Sequence, residues 1–340
     1  EPLGNNQYRF TLPSFVQKTQ VLLFNPGKAL REVTQLSPVV FADYRNVQAN
    51  YVIISHARLR NDGQGRDYVE EYAAYRRSST GGAYQVLVAD VNQIIDQFGY
   101  GIPDHPQALR NFGAYLYKLS TPKYLLLIGH GIEYNLLRQR NAEMRPEHFI
   151  PTFGTPGSDN LMFAANGKLS SFIPTGRLAA QDPSQIRDYL NKVKEYEQNL
   201  DAPRNTQSLA WRKRVLHISG GNYGGNEIAT FQARLQRTAA VLSNNDFGAI
   251  VSTVSKQSAE TVVLSTAEEI VKAVNAGLSI KVFLGHGGVT NTDFGLDDPL
   301  LFNNLGRYPL IFSLGCLTGK LYDRQNSLSE RFILVPNRGG

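Results

Sequence analysis

From Tyr51 onward, short apolar runs alternate with amphipathic stretches, and this alternation constrains the fold more than any single motif. YVIIS (51–55), QVLVA (85–89) and YLLLIG (124–129) have the length and the β-branched or leucine-rich content of buried strands. Between them, 67–78 sets Tyr68, Tyr72 and Tyr75 on one helical face, and 105–119 does the same with Leu109, Phe112, Leu116 and Leu119. Strands and helices in alternation predict a parallel sheet with helices on its faces. The pattern then repeats. After a turn-rich stretch (130–182) read as loop and short strand, a helix is predicted over 182–200, capped by Asp182, with Pro183 at its first position and Ile186, Tyr189, Leu190, Val193 and Tyr196 as its apolar stripe. A linker (201–210) leads to VLHIS (215–219), a helix over 227–242, AIVSTV (249–254), a helix over 266–276, and two last apolar runs, 282–284 and 310–314. The expected class is α/β: two tandem lobes with mainly parallel sheets, over 49–205 and 206–340, preceded by a short β-rich segment over 1–48. In that segment, alternation over 4–24 reads as a hairpin.

Composition narrows the function classes. An apolar content of 42% supports a packed core, and no apolar run approaches the ~18 residues of a membrane span. The formal charge of +6 is scattered, with Arg212, Lys213 and Arg214 as its densest cluster, which reads as a solvated face and not a nucleic-acid footprint. A single cysteine excludes an internal disulfide and leaves the compartment unmarked.

That cysteine has a telling context. The two last apolar runs, predicted as buried strands, each end in glycine followed by a reactive side chain, Gly285-His286 and Gly315-Cys316. If the strands lie parallel and adjacent, His286 and Cys316 emerge at one sheet edge, where open α/β sheets hold their sites. A thiolate is a strong nucleophile, and a neighbouring imidazole can take its proton and pass it to a leaving amine. The backbone amides of Gly287 and Cys316 are candidate donors to the oxyanion that such acyl transfer creates.

LGHGG (284–288), DPLLFNNLGRYPL (298–310), SLGCLTG (313–319) and SLSERFILVPNRGG (327–340) resemble the catalytic region of the gingipain family of caspase-fold cysteine peptidases. YGIPDHPQALRNFGAYLY (100–117), KYLLLIG (123–129), IPTFGTPGSDN (150–160), GRLAA (176–180) and KVKEYE (192–197) are similar to the family's leading subdomain. The resemblance spans residues 50–340. It implies a caspase-like fold, Cys316 as nucleophile, His286 as general base and acid, and the Gly287 and Cys316 amides as oxyanion hole. It also implies protein or peptide substrates, a secreted or outer-membrane cell-surface location, and a kinship with the sortase of the type IX secretion system. Other components of that system and further domains of a longer polypeptide are then expected partners, with a further core strand beyond Gly340. Nucleic acid and a membrane span in this chain are not expected.

Two positions depart from the family pattern. Gly129-His130-Gly131 stands where Gly-Asp is usual, and LSSFIPT (169–175) lacks the acidic residue that precedes the Gly-Arg turn. A Cys-His dyad is therefore the expected catalytic set. Besides endopeptidase hydrolysis through a thioester, the alternatives are a sortase-like transpeptidase, which passes the acyl group to an amine, and a silent scaffold, which the missing carboxylate favours.

His130 reads as a turn histidine contacting substrate or backbone, and not as a catalytic residue. SGGNYGGN (219–226), between a strand and a helix where a phosphate could sit on the helix N-terminus, fits neither a dinucleotide fingerprint nor a P-loop, and is read as a tight turn lining the substrate cleft. No cofactor is required for the chemistry. Family members use calcium, for which Asp159 with Asn160, or Asp293, Asp297 and Asp298, are candidate ligands without EF-hand spacing, and otherwise solvated loop residues.

Overall fold

A computed structural model of the protein describes residues 2–5, 7–12, 14, 20, 25, 27, 38–201, 205–259, 264–295 and 297–340. The chain divides into two compact units, Glu1–Val40 and Phe41–Gly340. In the first, β1 (Pro2–Gly4) pairs antiparallel with β2 (Gln7–Tyr8) across a turn with Asn5 at φ 49°. Most of the hairpin expected over 4–24 lies outside the described residues.

The second unit contains two four-stranded parallel sheets. One is built from β3 (Tyr51–Ser55), β4 (Val86–Asp90), β5 (Tyr124–Ile128) and β6 (Thr175–Leu178), in the order β4-β3-β5-β6. Helices α1 (Tyr68–Arg77), α2 (Val91–Phe98) and α3 (Pro106–Ser120) connect its strands. β3 is paired on both sides, which accounts for its continuous apolar run: Val52, Ile53 and Ile54 are fully buried. Phe112, Leu109 and Leu116 of α3 close on the same core, and each such buried side chain contributes roughly 1.5–3 kcal/mol.

α4 (Pro183–Asp201) starts as its sequence dictates: the Asp182 carboxylate accepts the Ser184 amide at 2.9 Å, and Pro183 fills the first position. It leads to the second sheet, made of β7 (Arg214–Ser219), β8 (Ile250–Ser255), β9 (Ile280–Leu284) and β10 (Leu310–Leu314), in the order β8-β7-β9-β10. α5 (Glu227–Leu242) joins β7 to β8, α6 (Leu264–Asn275) joins β8 to β9, and α7 (Leu328–Leu334) follows β10.

Two elements differ from expectation. α2 has no counterpart in the sequence reading, because β4 runs into it without a loop; Asp90 ends the strand and caps the helix, accepting the amides of Asn92 and Gln93. The run 310–314 is not a buried strand. β10 is an edge strand whose Leu310, Phe312 and Leu314 alternate outward and are exposed, while β9 inside the sheet buries Val282 and Phe283.

The two sheets share one topology. In each, the first strand pairs with the second on one side and the third on the other, and the fourth extends beyond the third. The order of strand addition reverses between β3 and β5, and again between β7 and β9. Such switch points open a crevice at the carboxyl ends of the strands.

Candidate active site

Beside the second switch point, β9 and β10 run parallel with Leu284 opposite Leu314. Gly285-His286 and Gly315-Cys316 therefore leave the sheet side by side, and both reactive side chains are exposed. The turns are in close contact. A methyl group on Gly287 would lie 2.7 Å from Thr318 Cγ2 and 3.0 Å from the Cys316 carbonyl oxygen, so glycine is what lets the two backbones meet. Behind the cysteine, Leu317 adopts φ 60°, an uncommon conformation for a leucine, held in a turn where Thr318 Oγ1 bonds Ser313 Oγ and donates to the Gly315 carbonyl.

After His286 the chain folds back. Gly287 bridges antiparallel to Thr292, and the ladder bonds run through their neighbours, Gly288 N to Asn291 O at 2.8 Å and Asp293 N to His286 O at 2.9 Å. Gly287 is thus in a non-hydrogen-bonded pair, and its N–H stays outside this hairpin's ladder.

The loop after β7 supplies what the sequence reading missed. His286 Nε2 lies 2.9 Å from Glu227 Oε2, at the first residue of α5. With Glu227 accepting there, Nε2 carries the proton and Nδ1 keeps the lone pair that can take a proton from a thiol. Asn222 Nδ2 is 3.2 Å from Nε2, and rotated half a turn about its last bond the amide presents oxygen to the same N–H. The Asn222 amide donates to Glu227 at 2.7 Å; this bond first, and His286 second, hold the Glu227 carboxyl below its ordinary range. The expected dyad thus gains a carboxylate partner, from a different place than the family pattern suggested. The signal was present in the sequence: Glu227 follows a glycine-rich strand-to-helix turn, and such turns lie at switch points.

Other expected positions resolve as follows. In the SGGNYGGN loop, Gly221 N donates to Asp293 Oδ2 at 2.6 Å and Asn222 N to Glu227, so these two amides are held by carboxylates. Asp159 gives both carboxylate oxygens to Arg177, at 2.7 and 2.8 Å. Asp297 receives the Thr292 amide and hydroxyl, and Asp298 caps a short turn over Leu300 and faces Arg331. Among the described residues, no group of three or more His, Cys, Asp or Glu side chains is arranged to hold a metal ion. His130 occupies the place in the first sheet that His286 has in the second. Ile128 is opposite Leu178 as Leu284 is opposite Leu314, so Ala180 stands where Cys316 would be. His130 is fully buried, which lowers its pKa; Nδ1 lies 3.0 Å from the Glu147 carbonyl, and Nε2 lies 3.7 Å from Glu330.

A parallel α/β frame that presents a thiol and a carboxylate-bound imidazole side by side has the layout of a caspase-like cysteine peptidase. The chain belongs to peptidase family C25, whose model matches residues 44–340. Among solved structures, gingipain R, an Arg-specific cysteine proteinase, superposes with a TM-score of 0.60 at 17% identity over 88% of this chain and 62% of that one. A complex of the pro- and mature domains of RgpB from Porphyromonas gingivalis gives 0.59 at 17% identity over 85% and 62%. A structure described as a protease gives 0.60 at 16% identity over 87% and 58%. At these identities the likeness concerns the fold, and the chain spans about three fifths of the length of gingipain R. A search of curated proteins gives no match. No helix among the described residues is long and apolar enough to cross a membrane.

Proposed function

We propose that the protein is a cysteine endopeptidase of family C25 acting on exported proteins. The carrying observation is the β9–β10 register, which sets Cys316 beside a histidine already bonded to Glu227. In this reading His286 Nδ1 takes the Cys316 proton, and the thiolate attacks the peptide carbonyl. The Gly287 and Cys316 N–H groups receive the oxyanion. His286 then protonates the departing amine, leaving a thioester. A water molecule, deprotonated by His286, cleaves the thioester to a carboxylic acid and restores the thiol. Glu227 keeps Nε2 protonated and offsets the imidazolium charge in both halves of the cycle.

The Glu227 contact argues against a silent scaffold, since the carboxylate whose lack favoured that reading is supplied by α5. Location at the cell surface or outside the cell, release of sorting domains and contact with secretion components rest on the family resemblance.

The test is hydrolysis of a broad peptide library by the protein and by its Cys316→Ala variant. Loss of cleavage in the variant is expected, and equal cleavage by both overturns the proposal. Product masses with and without an added amine distinguish water from an amine as the acyl acceptor.

A further inference from the structure

Asp293 lies outside the set that exchanges protons, yet it touches both strand ends that form the site. Its backbone N–H donates to the His286 carbonyl at 2.9 Å, and its Oδ2 accepts the Gly221 amide at 2.6 Å. The carboxylate fits a cradle of glycines. A methyl on Gly220 would come within 2.2 Å of Oδ1, and one on Gly285 within 2.7 Å. Both positions therefore need glycine for this carboxylate to lie between the end of β7 and the end of β9. Directly after Gly220 and Gly221 come Asn222 and Glu227, which meet His286 Nε2. Asp293 Oδ1 is buried without a hydrogen-bond partner. An unpaired buried carboxylate oxygen is costly, and an asparagine could keep the Gly221 bond while carrying no charge.

We propose that Asp293 is a positioning residue for the peptidase reaction: it pins the β7–α5 loop onto the His286 turn so that Glu227 stays on Nε2. This inference rests on the peptidase reading for its purpose, but its geometry is independent of substrate. The charged groups placed against the His286 turn are Glu227 from α5, Asp293 itself, Asp297, which accepts the Thr292 amide and hydroxyl, and Arg331 of α7, which donates to the Thr290 carbonyl; Cys316 follows the neighbouring strand β10. A carboxylate held on Nε2 favours the imidazolium form. Losing it frees the ring to turn and weakens the activation of the Cys316 thiol.

Alkylation of Cys316 by iodoacetamide, followed against pH on the whole protein, reads the thiol–imidazole pair without a peptide substrate. A protein that alkylates in this pH-dependent way but cleaves nothing leaves the present test standing while ending the peptidase reading. In Asp293→Ala the expected result is an alkylation rate near neutrality lowered about fivefold or more. In a Glu227→Gln background the same substitution adds little, because both act through one contact, whereas a general loss of structure adds in full. If Asp293→Ala does not fold, Asp293→Ser, whose hydroxyl is too short to reach the Gly221 amide, carries the test with the same expected loss, while Asp293→Asn keeps an acceptor for that amide and is expected to retain most of the rate. An unchanged rate in a folded Asp293→Ala or Asp293→Ser variant, or full additivity with Glu227→Gln, overturns the proposal.

Discussion

Glu227 and His286, 59 residues apart in sequence, meet at 2.9 Å across the switch point between β7 and β9. The contact joins the first residue of a helix to the first turn after a central strand, so it depends on the sheet's strand order and not on local sequence.

Replacing Glu227 by glutamine keeps an acceptor for Nε2–H and removes the charge. A fall in kcat of roughly tenfold or more is expected, with KM little changed, since the imidazolium forms after substrate is bound. The sign of the pH effect follows from the bond. Glu227 titrates below its ordinary value and is charged throughout the neutral range, favouring protonated His286. Glutamine does not titrate, so its variant loses the acid limb that protonation of Glu227 produces below the ordinary carboxylate range. A limb that stays in place in the glutamine variant rules out the orienting role.

Gly287→Ala inserts a methyl against Thr318 Cγ2 and the Cys316 carbonyl. The turn that carries the cysteine must then shift by several tenths of an ångström, and a loss of activity on the order of 10²-fold is expected. Thr318→Ser removes the nearer obstacle while retaining the hydroxyl that bonds Ser313 and Gly315. The double variant should recover part of the activity. Equal activity of the single and double variants would mean that Thr318 is not the obstruction.

Two buried lysines differ in what they do. Burial pushes both Lys192 and Lys281 down to about 8. A lysine with a depressed folded pKa binds fewer protons folded than unfolded between that value and its ordinary 10.5, so stability rises with pH across the interval. Below pH 8 each charged ammonium opposes folding by at most roughly 3 kcal/mol. Lys281 Nζ sits 4.7 Å from the Phe332 ring centre and 5.1 Å from that of Phe302. Lys281→Met should therefore stabilise the protein by about 1–3 kcal/mol at pH 7 and flatten the rise toward pH 10. Lys192 instead donates to the carbonyls of Phe332, Ile333 and Val335 at the end of α7. Lys192→Met should destabilise by about 1–3 kcal/mol despite the same direction of shift. Denaturant unfolding at pH 7 and pH 10 checks both.

Arg177 is fully buried and donates to Asp159, Gly129, Ile150 and Pro151. Lysine cannot reproduce that planar fork, and Arg177→Lys leaves Asp159 with one ammonium bond in place of two, beside the Thr152 hydroxyl. A loss of about 3–5 kcal/mol is expected, visible as a drop in melting temperature. A thermal midpoint within a degree or so of the parent would show that the pair contributes little.

Much of this arrangement could be read from the chain. Gly-His and Gly-Cys each follow an apolar run, and a parallel pair of strands brings them together, so the two reactive residues were legible from local pattern. β10 was misjudged as buried, because an apolar run carries no mark of whether a neighbour pairs with its outer edge. Glu227 was overlooked for a related reason: which loop faces His286 depends on β7 lying between β8 and β9. Sequence spacing does not encode that order. Asp293, read as a solvated loop carboxylate or a calcium ligand, is a half-buried brace, and only the glycines on both sides of its cradle hinted at something closely packed there.

The repeated strand plan has a consequence for how reactivity arises in this molecule. Two sheets with the same connectivity each deliver a histidine after their third strand, one opposite an alanine and sealed from solvent, the other open and opposite a cysteine. The scaffold therefore acts as its own blank. The frame supplies an address at the end of the third strand, and the few loop residues gathered around that address decide whether it is a structural joint or a place where bonds are exchanged.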